Sequence, residues 1–177
     1  MMTFQKLWNN YPTTKEKTSP CSTNGRPNFP DQCAIRVGVA LSACGVDTRK
    51  LPGVRHCWQH KSHALAAEEL AMALKSFPIA GIGKMQEIEP SEFYEALRGK
   101  RGIIFFKDYW QRTVNGKKET FRNRTGDHID LWDGLKITDW RSWARIHVRV
   151  GNVGLHTFVP GWSDLEHSKS IWFWRVL

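Results

Sequence analysis

Residues 28–45, NFPDQCAIRVGVALSACG, decide how the first half of this chain folds. A polar loop that contains Pro30 gives way at Asp31 to a run of apolar residues that a single arginine interrupts, and Gly45 ends the run. Asp31 suits an N-cap and Gly45 suits a C-terminal stop, so the pattern predicts a largely buried helix over residues 31–43. Cys33 would then lie in the first turn of that helix.

The position of Cys33 has a chemical interpretation and a structural one. Backbone N–H groups and the helix dipole favour negative charge at a helix N-terminus, which favours a thiolate there. The same N–H groups can hold the oxyanion of a tetrahedral intermediate. Most buried cysteines, however, are inert and pack as small hydrophobic residues. Position alone does not decide between a nucleophile and a core residue.

The segment HIDLWDGLKITDW, which begins at His128, offers a base for such a nucleophile. Asp133 and Gly134 between runs of β-forming residues predict a two-residue hairpin turn. In that register His128 faces Asp139, and opposed residues have Cβ atoms about 4.5–5.5 Å apart, so an imidazole–carboxylate hydrogen bond is expected. Asp130 shares the face of His128 and is the rival carboxylate, about 6–7 Å away along the strand. An exposed hairpin histidine is the structural alternative.

The remaining pattern places helices before strands. Apolar residues at 3-to-4 spacing predict an amphipathic helix over residues 62–77, and a proline and a glycine bracket a short helix over residues 90–97. Strands are predicted at GIIFF (102–106), in a hairpin around Asn115-Gly116, at RIHVRV (145–150) and at SIWFWRVL (170–177). Helices followed by an antiparallel sheet indicate an α+β fold, and the length suits a single domain over residues 1–177.

Charge and hydropathy restrict the function classes. The chain carries 26 lysines and arginines against 17 acidic residues, and this net charge of +9 predicts attraction to polyanions such as nucleic acid, anionic lipid or an anionic cell wall. No apolar run approaches the roughly 20 residues of a membrane helix, and we expect neither a membrane span nor a signal peptide. A non-catalytic nucleic-acid-binding protein is one hypothesis, since aromatic residues interleave with the basic segment over residues 107–124.

Four motifs in this order, FPDQCAIRVGVAL, GIIFF, GDHIDLWDG and TDW, resemble the family-4 amidase effectors of type VI secretion systems. These effectors are injected bacterial toxins related to the papain-like NlpC/P60 peptidases, and the likeness covers most of residues 28–140. The resemblance implies a papain-like α+β fold, with N-terminal helices packed on a C-terminal antiparallel sheet. It also implies a catalytic triad in which Cys33 is the nucleophile, His128 the general base and Asp139 the orienting carboxylate, with no metal and no cofactor.

The same resemblance implies a substrate and partners. The family cleaves peptidoglycan stem peptides at the amide between D-glutamate and meso-diaminopimelate, so a cysteine amidase of the DL-endopeptidase type is expected. A cognate immunity protein and the secretion apparatus are the implied partners, with neither nucleic acid nor membrane among them. Export by the type VI system without a signal peptide, and action in the periplasm of the target bacterium, follow from it. A papain-like peptidase or transglutaminase acting on a protein substrate is the alternative, because the same triad supports that chemistry.

All four cysteines lie in the first third of the chain. Cys44 and Cys57 flank a short loop, and a disulfide between them would stabilise the fold by about 3 kcal/mol in the loop-entropy model. Such a bond is expected only in an oxidising compartment such as the periplasm. Cys21 would then be left free.

Four residues around Cys57 are of the types that bind zinc: His56, Cys57, His60 and His63. Their spacing is compact, but no second pair of standard zinc-finger form follows in the sequence. We therefore expect polar loop residues and one half of a disulfide here rather than a metal site.

Overall fold

The computed structural model describes residues 1–15, 17–120, 122–123, 125–138, 165 and 168–177. The helices in this part of the chain are α1 (Phe4–Asn9), α2 (Cys33–Ala43), α3 (Ala67–Ser76) and α4 (Phe93–Leu97), with 3₁₀ turns at Pro12–Lys15 and Thr48–Lys50. The strands are β1 (Ser22–Thr23), β2 (Arg26–Pro27), β3 (His56–Cys57), β4 (His60–Ala64), β5 (Ile82–Ile88), β6 (Gly102–Trp110), β7 (Thr113–Val114), β8 (Lys117–Lys118), β9 (Gly126–Trp132) and β10 (Ser170–Val176). None of the described helices is both long and apolar enough to span a bilayer.

A four-stranded antiparallel sheet in the order β5-β10-β6-β9 forms the centre of the fold. Alternate residues of its strands point to opposite faces, and both faces are covered. On one face Phe105, Leu131 and Trp174 pack with the apolar sides of α1, α2 and α3. On the other face Phe106 and Trp132 pack with the short helix α4. Because both faces of the sheet are buried, the sequences of β6 and β10 are nearly continuous apolar runs.

Several predictions of local structure are confirmed. The fold is α+β with its helices packed on an antiparallel sheet, and both GIIFF and SIWFWRV form central strands. Asn115 and Gly116 turn the β7–β8 hairpin with φ angles of 51° and 74°, the left-handed values that such a turn requires. The predicted strand over residues 145–150 lies outside the described residues.

The predicted helix over residues 62–77 is wrong in its first turn. Residues 60–64 form β4, which pairs with β3, and α3 begins only at Ala67. Side-chain spacing could not reveal this because the strand is fixed by tertiary contact: its backbone packs directly on helix α2 at Gly38. The predicted helix over residues 31–43 is confirmed, with its first residue at Cys33.

The predicted register of the hairpin after β9 is also wrong. The observed bridge joins Trp132 to Ile137, and the N–H of Asp133 donates to the carbonyl of Lys136 at 3.0 Å. The central turn residues are therefore Gly134 and Leu135, because Gly134 takes the positive φ of 104° while the Asp133 carboxylate accepts the N–H groups that follow it. The pairing shifts by two residues, so the argument that put Asp139 opposite His128 does not hold.

The contact between α2 and β4 leads to a stability prediction. A Cβ atom at Gly38 would lie 2.3 Å from the carbonyl oxygen of Ser62 and 3.3 Å from the N atom of Ala64. Gly38→Ala is therefore expected to lower the free energy of unfolding by about 1–3 kcal/mol, although alanine is the better helix former. Urea denaturation measures the change. Ser42→Ala, on the exposed side of the same helix, is the control and should shift it by less than about 0.5 kcal/mol; equal stability of both variants would contradict the close contact.

Candidate active site

Cys33 is the first residue of α2 and is 4% exposed. Its backbone N–H donates to the Asp31 carboxylate at 3.1 Å, so the acidic residue of the predicted cap does serve the helix start. The N-cap position itself is held by Gln32, whose side chain makes no capping bond. Intrahelical bonding begins with the N–H of Arg36, which donates to the Gln32 carbonyl. The thiol thus lies at a helix N-terminus, where unsatisfied N–H groups and the helix dipole favour negative charge.

The side chain of Gln32 clasps the preceding loop instead of the helix. Its Oε1 accepts the N–H of Cys21 at 2.9 Å, and its Nε2 donates to the carbonyl of Cys21 at 2.8 Å. A further bond from Nε2 reaches the carbonyl of Phe29. The amide is buried and fully occupied, and it fixes the chain immediately before the nucleophile candidate. Sequence reasoning missed this role, since nothing local to Gln32 indicates a partner eleven residues upstream.

His128 lies on β9, where it pairs with Phe106 of β6. The β6–β9 register shifts between Phe106 and Trp110, and the bulge includes Asp108 with a φ of 50°. Bulges re-aim side chains next to sites, and here the Tyr109 ring meets the imidazole edge-on at 6.2 Å. The imidazole is 18% exposed, so it remains open to solvent on one side while aromatic rings flank it.

The structure brings Cys33 and His128 together. Burial lowers the pKa of His128, but hydrogen bonds with Asp130 and with Cys33, and the charges of Tyr109 and Cys33, outweigh burial and raise the pKa well above 6.5. Nε2 of the imidazole lies 3.3 Å from Oδ2 of Asp130. A thiol and an imidazole in contact, with a carboxylate behind the ring, can generate a thiolate–imidazolium pair.

Asp130 is the carboxylate that the described residues place beside His128. It is 2% exposed, and its Oδ1 accepts the N–H of Leu131 at 2.7 Å and the hydroxyl of Thr138 at 2.5 Å. The 3.3 Å contact of Oδ2 with His128 is long for a charge-assisted bond, which usually measures about 2.7–2.9 Å. Asp130 thus both touches the imidazole and holds Thr138. Asp139, the predicted orienting residue, lies outside the described residues.

A buried tyrosine completes the surroundings of Asp130. Tyr11 is fully buried, and burial followed by the charge of Asp130 raises the pKa of its phenol well above 10. Its hydroxyl faces Asp130 and Thr138 but has no hydrogen bond of standard geometry within the described part of the chain. Sequence reasoning gave Tyr11 no role, because Asp130 and Thr138 lie more than a hundred residues away from it along the chain.

The predicted disulfide between Cys44 and Cys57 is wrong for this structure, in which both thiols are free. Cys44 lies at the end of α2 beside Lys6 and Asn10 of the N-terminal region. Cys57 packs instead with Cys21, their sulfur atoms 3.9 Å apart. The two cysteines belong to different apolar clusters, which loop length could not show.

A model of one protein family matches residues 29–174, and its description reads type VI secretion system amidase effector protein 4, Tae4. The match covers most of the chain and includes Cys33 and His128. The chain belongs to the Tae4 family. Members of this family are antibacterial peptidoglycan amidases, so this chain is a hydrolase and the non-catalytic alternative is set aside.

Solved Tae4 structures share the fold. The Tae4–Tai4 effector–immunity complex from Enterobacter cloacae matches with a TM-score of 0.56 and 16% identity over 100% of both chains. Tae4 from Salmonella typhimurium, in complex with Tai4 from Enterobacter cloacae, matches with a TM-score of 0.59 and 15% identity over 100% of this chain and 99% of that one. A search of curated protein sequences found no match. At this identity the Tae4 structures establish the fold alone, and they confirm the papain-like, NlpC/P60-like architecture.

Proposed function

We propose that this chain is a cysteine DL-endopeptidase that hydrolyses the amide between D-glutamate and meso-diaminopimelate in peptidoglycan stem peptides. Delivered by a type VI secretion system, it acts in the periplasm of the target bacterium. The observation that carries the proposal is the contact between Cys33 at the start of α2 and His128 on β9, in a chain of an amidase family. The net charge of +9 suits a polymer whose stem peptides carry carboxylates.

The reaction begins with proton transfer from the Cys33 thiol to His128. The thiolate attacks the γ-carbonyl carbon of D-glutamate, and N–H groups at the start of α2 stabilise the oxyanion. Protonated His128 gives its proton to the nitrogen of diaminopimelate as the C–N bond breaks, which leaves a thioester on Cys33. His128 then takes a proton from water, the hydroxide attacks the thioester, and the Cys33 thiolate leaves with the free carboxyl product.

We assign the two carboxylates different tasks. Asp139 is the orienting member of the triad, as the family resemblance implies. Asp130 is a positioning residue, because one of its oxygens is committed to Leu131 and to Thr138, the residue directly before Asp139. Its other oxygen contacts His128 at a distance longer than a strong ion pair. Tyr11 supports this arrangement by covering Asp130 from solvent.

A cognate immunity protein is the proposed partner in the producing cell. The similar structures are effector–immunity complexes of Tae4 with Tai4. A periplasmic inhibitor that covers the Cys33–His128 site would protect the producing cell against toxin injected by neighbouring cells of the same strain and against its own toxin. The secretion apparatus is the other partner that delivery requires.

The test is to identify the bond that is cut. Purified protein and Cys33→Ala are incubated with sacculi that contain diaminopimelate, and the soluble fragments are analysed by mass spectrometry. We expect fragments ending in D-glutamate and fragments with a new amino group on diaminopimelate, from the wild type only. Casein is the control for a general peptidase and should stay intact. Equal release by both proteins, or cleavage at a different bond, contradicts the proposed specificity.

A further inference from the structure

A second cluster of cysteine and histidine side chains lies apart from the Cys33–His128 site. One ligand-type atom each of Cys21, Cys57, His60 and His63 lies within 4.8 Å of the other three. Three of these residues belong to the β3–β4 hairpin, and Cys21 enters from the loop before β1. Local spacing could not reveal the fourth ligand, because Cys21 lies 36 residues before Cys57 along the chain. His56, which local spacing included, is not part of the cluster.

The distances within the cluster fit a tetrahedral zinc ion. The sulfur atoms of Cys21 and Cys57 lie 3.9 Å apart, and Nδ1 of His60 lies 3.8 Å and 3.6 Å from them. Zinc binds sulfur at about 2.3 Å and imidazole nitrogen at about 2.0–2.1 Å, so a tetrahedron places ligand atoms roughly 3.3–3.8 Å apart. The two sulfur atoms and the His60 nitrogen are therefore within a few tenths of an ångström of this spacing, and the ligand atom of His63, within 4.8 Å of the other three, would move inward to complete the tetrahedron.

One polar atom of the cluster, Nδ1 of His63, lacks a partner that would explain its burial. His63 is 6% exposed, and its Nδ1 is buried without a hydrogen-bond partner in the described part of the chain. The rings of His60 and His63 stack at 4.3 Å, so the two imidazoles lie side by side next to the thiols. Buried polar atoms of native proteins are nearly always satisfied, so an orphaned ring nitrogen beside two thiols points to a ligand.

The surroundings of the cluster also suit a thiolate–metal site. Backbone N–H groups of Gln59 and His60 donate to the sulfur of Cys57, and the Asn28 side chain donates to the sulfur of Cys21 at 3.6 Å. Such bonds stabilise the negative sulfur ligands of a metal. Apolar side chains enclose the sulfur atoms and limit access of water: Phe29, Ile35, Val39 and Leu65.

We propose that Cys21, Cys57, His60 and His63 bind one Zn²⁺ ion in a closed, tetrahedral structural site. Two thiolates and two imidazoles are a ligand set for zinc and not for magnesium or calcium, which take oxygen ligands. With four protein ligands the ion has no open position for water, so the site is structural rather than catalytic. A disulfide between Cys21 and Cys57 is the rival state, but it would leave the buried His63 imidazole without a partner.

The site acts on the fold through Gln32. Zinc would fix Cys21 to the β3–β4 hairpin, and the Gln32 amide clasps the backbone of Cys21 from the other side. Gln32 directly precedes Cys33, and β4 packs on α2 at Gly38. The ion would thus link Cys21, the β3–β4 hairpin and α2, and these contacts hold the segment before α2 in place. Its loss is expected to loosen this segment and to lower the melting temperature.

Metal content of the purified protein tests the proposal. The protein is produced with zinc in the medium and purified under reducing conditions. Its zinc content per chain is then measured by elemental mass spectrometry. The Cys33→Ala background removes the active-site thiol as a competing ligand. In this background we expect about one zinc ion per chain. Cys57→Ser or His63→Gln should each lower the affinity for zinc at least about tenfold. Cys44→Ser and His56→Gln replace the same residue types outside the cluster and should leave the affinity unchanged.

Cobalt substitution gives a readout that does not depend on a variant folding. Wild-type protein stripped of zinc and loaded with Co²⁺ should show the visible bands of tetrahedral cobalt and a sulfur-to-cobalt charge-transfer band, and chelation of its zinc should lower the melting temperature by several degrees. Any one of three results would overturn the proposal. These are protein that holds no metal under these conditions, cobalt bound in octahedral geometry, and a Cys21–Cys57 disulfide in the reduced preparation. Because the inactive Cys33→Ala protein carries the readout, failure of the zinc site and failure of the amidase function are distinguishable.

Discussion

His128→Ala protein should lose at least about 10⁴-fold of kcat/KM against peptidoglycan fragments, since removal of the base from a nucleophile–base pair costs that much or more in hydrolases. In the fold, the imidazole is the group that contacts the Cys33 thiol and carries a pKa raised well above 6.5. Without it no side chain of the described site takes the proton from the thiol or returns it to the leaving amine. The rate of fragment release by His128→Ala and wild type, followed by chromatography, measures the loss.

Thiol alkylation separates loss of the base from loss of the fold. In the wild type, iodoacetamide should modify Cys33 faster than the other cysteines near neutral pH, because a protonated His128 stabilises the thiolate. His128→Ala should slow the modification of Cys33. Cys44, at the far end of the same helix and partly exposed, is the internal control and should react at an unchanged rate. Activity of His128→Ala within tenfold of the wild type, or equal labelling of all four cysteines in the wild type, would remove His128 from the mechanism.

Asp139→Asn should produce the second largest loss, about a thousandfold or more, as expected when the carboxylate that orients a catalytic histidine is neutralised. Asp130→Asn should lower kcat/KM by only about 10- to 100-fold, the range found for outer partners that hold a ligand or base in place. Both variants keep the shape of the side chain, so each removes charge while an acceptor oxygen remains. Steady-state kinetics of the two variants on the same muropeptide gives the comparison.

The pH profile distinguishes the two roles further. The hydrogen bond that Asp130 accepts from the His128 ring is the largest contribution that raises the pKa of His128, so Asp130→Asn should shift the profile of kcat/KM to lower pH. The melting temperature of Asp130→Asn is the control, because this variant also alters the hydrogen bonds to Leu131 and Thr138, which affect stability. A greater loss of kcat/KM in Asp130→Asn than in Asp139→Asn would transfer the orienting role to Asp130.

What the sequence could predict depended on whether the decisive contacts were local. The helix that begins at Cys33 follows from neighbouring residues, and so does the β7–β8 turn, because Asn115-Gly116 by itself favours left-handed backbone. The structure brings the predicted Cys33 and His128 into contact, while their catalytic roles stay predictions. The register after β9 failed, since the choice between Asp133-Gly134 and the next pair depends on which residue takes the positive φ and on the Asp133 carboxylate.

The other errors have a non-local cause. Residues 62–64 directly precede a helical pattern of apolar side chains, yet pairing with β3 and the close approach to Gly38 make them a strand. Cys57 was assigned to Cys44 by proximity along the chain, whereas the fold delivers Cys21 to it. Tyr11 and Gln32 gained their partners in the same way. Propensity and spacing report on a few neighbouring residues, and these contacts join segments that only the sheet and α2 bring together.

The order of strands has a consequence for when the toxin becomes active. β10 lies between β5 and β6, so these two earlier strands have no shared ladder until residues 170–176 have been synthesised and inserted. A ribosome-bound chain that already carries Cys33 and His128 therefore still lacks the central strand of the sheet that supports β9. Residues 170–176 are therefore required before the four-stranded sheet can form.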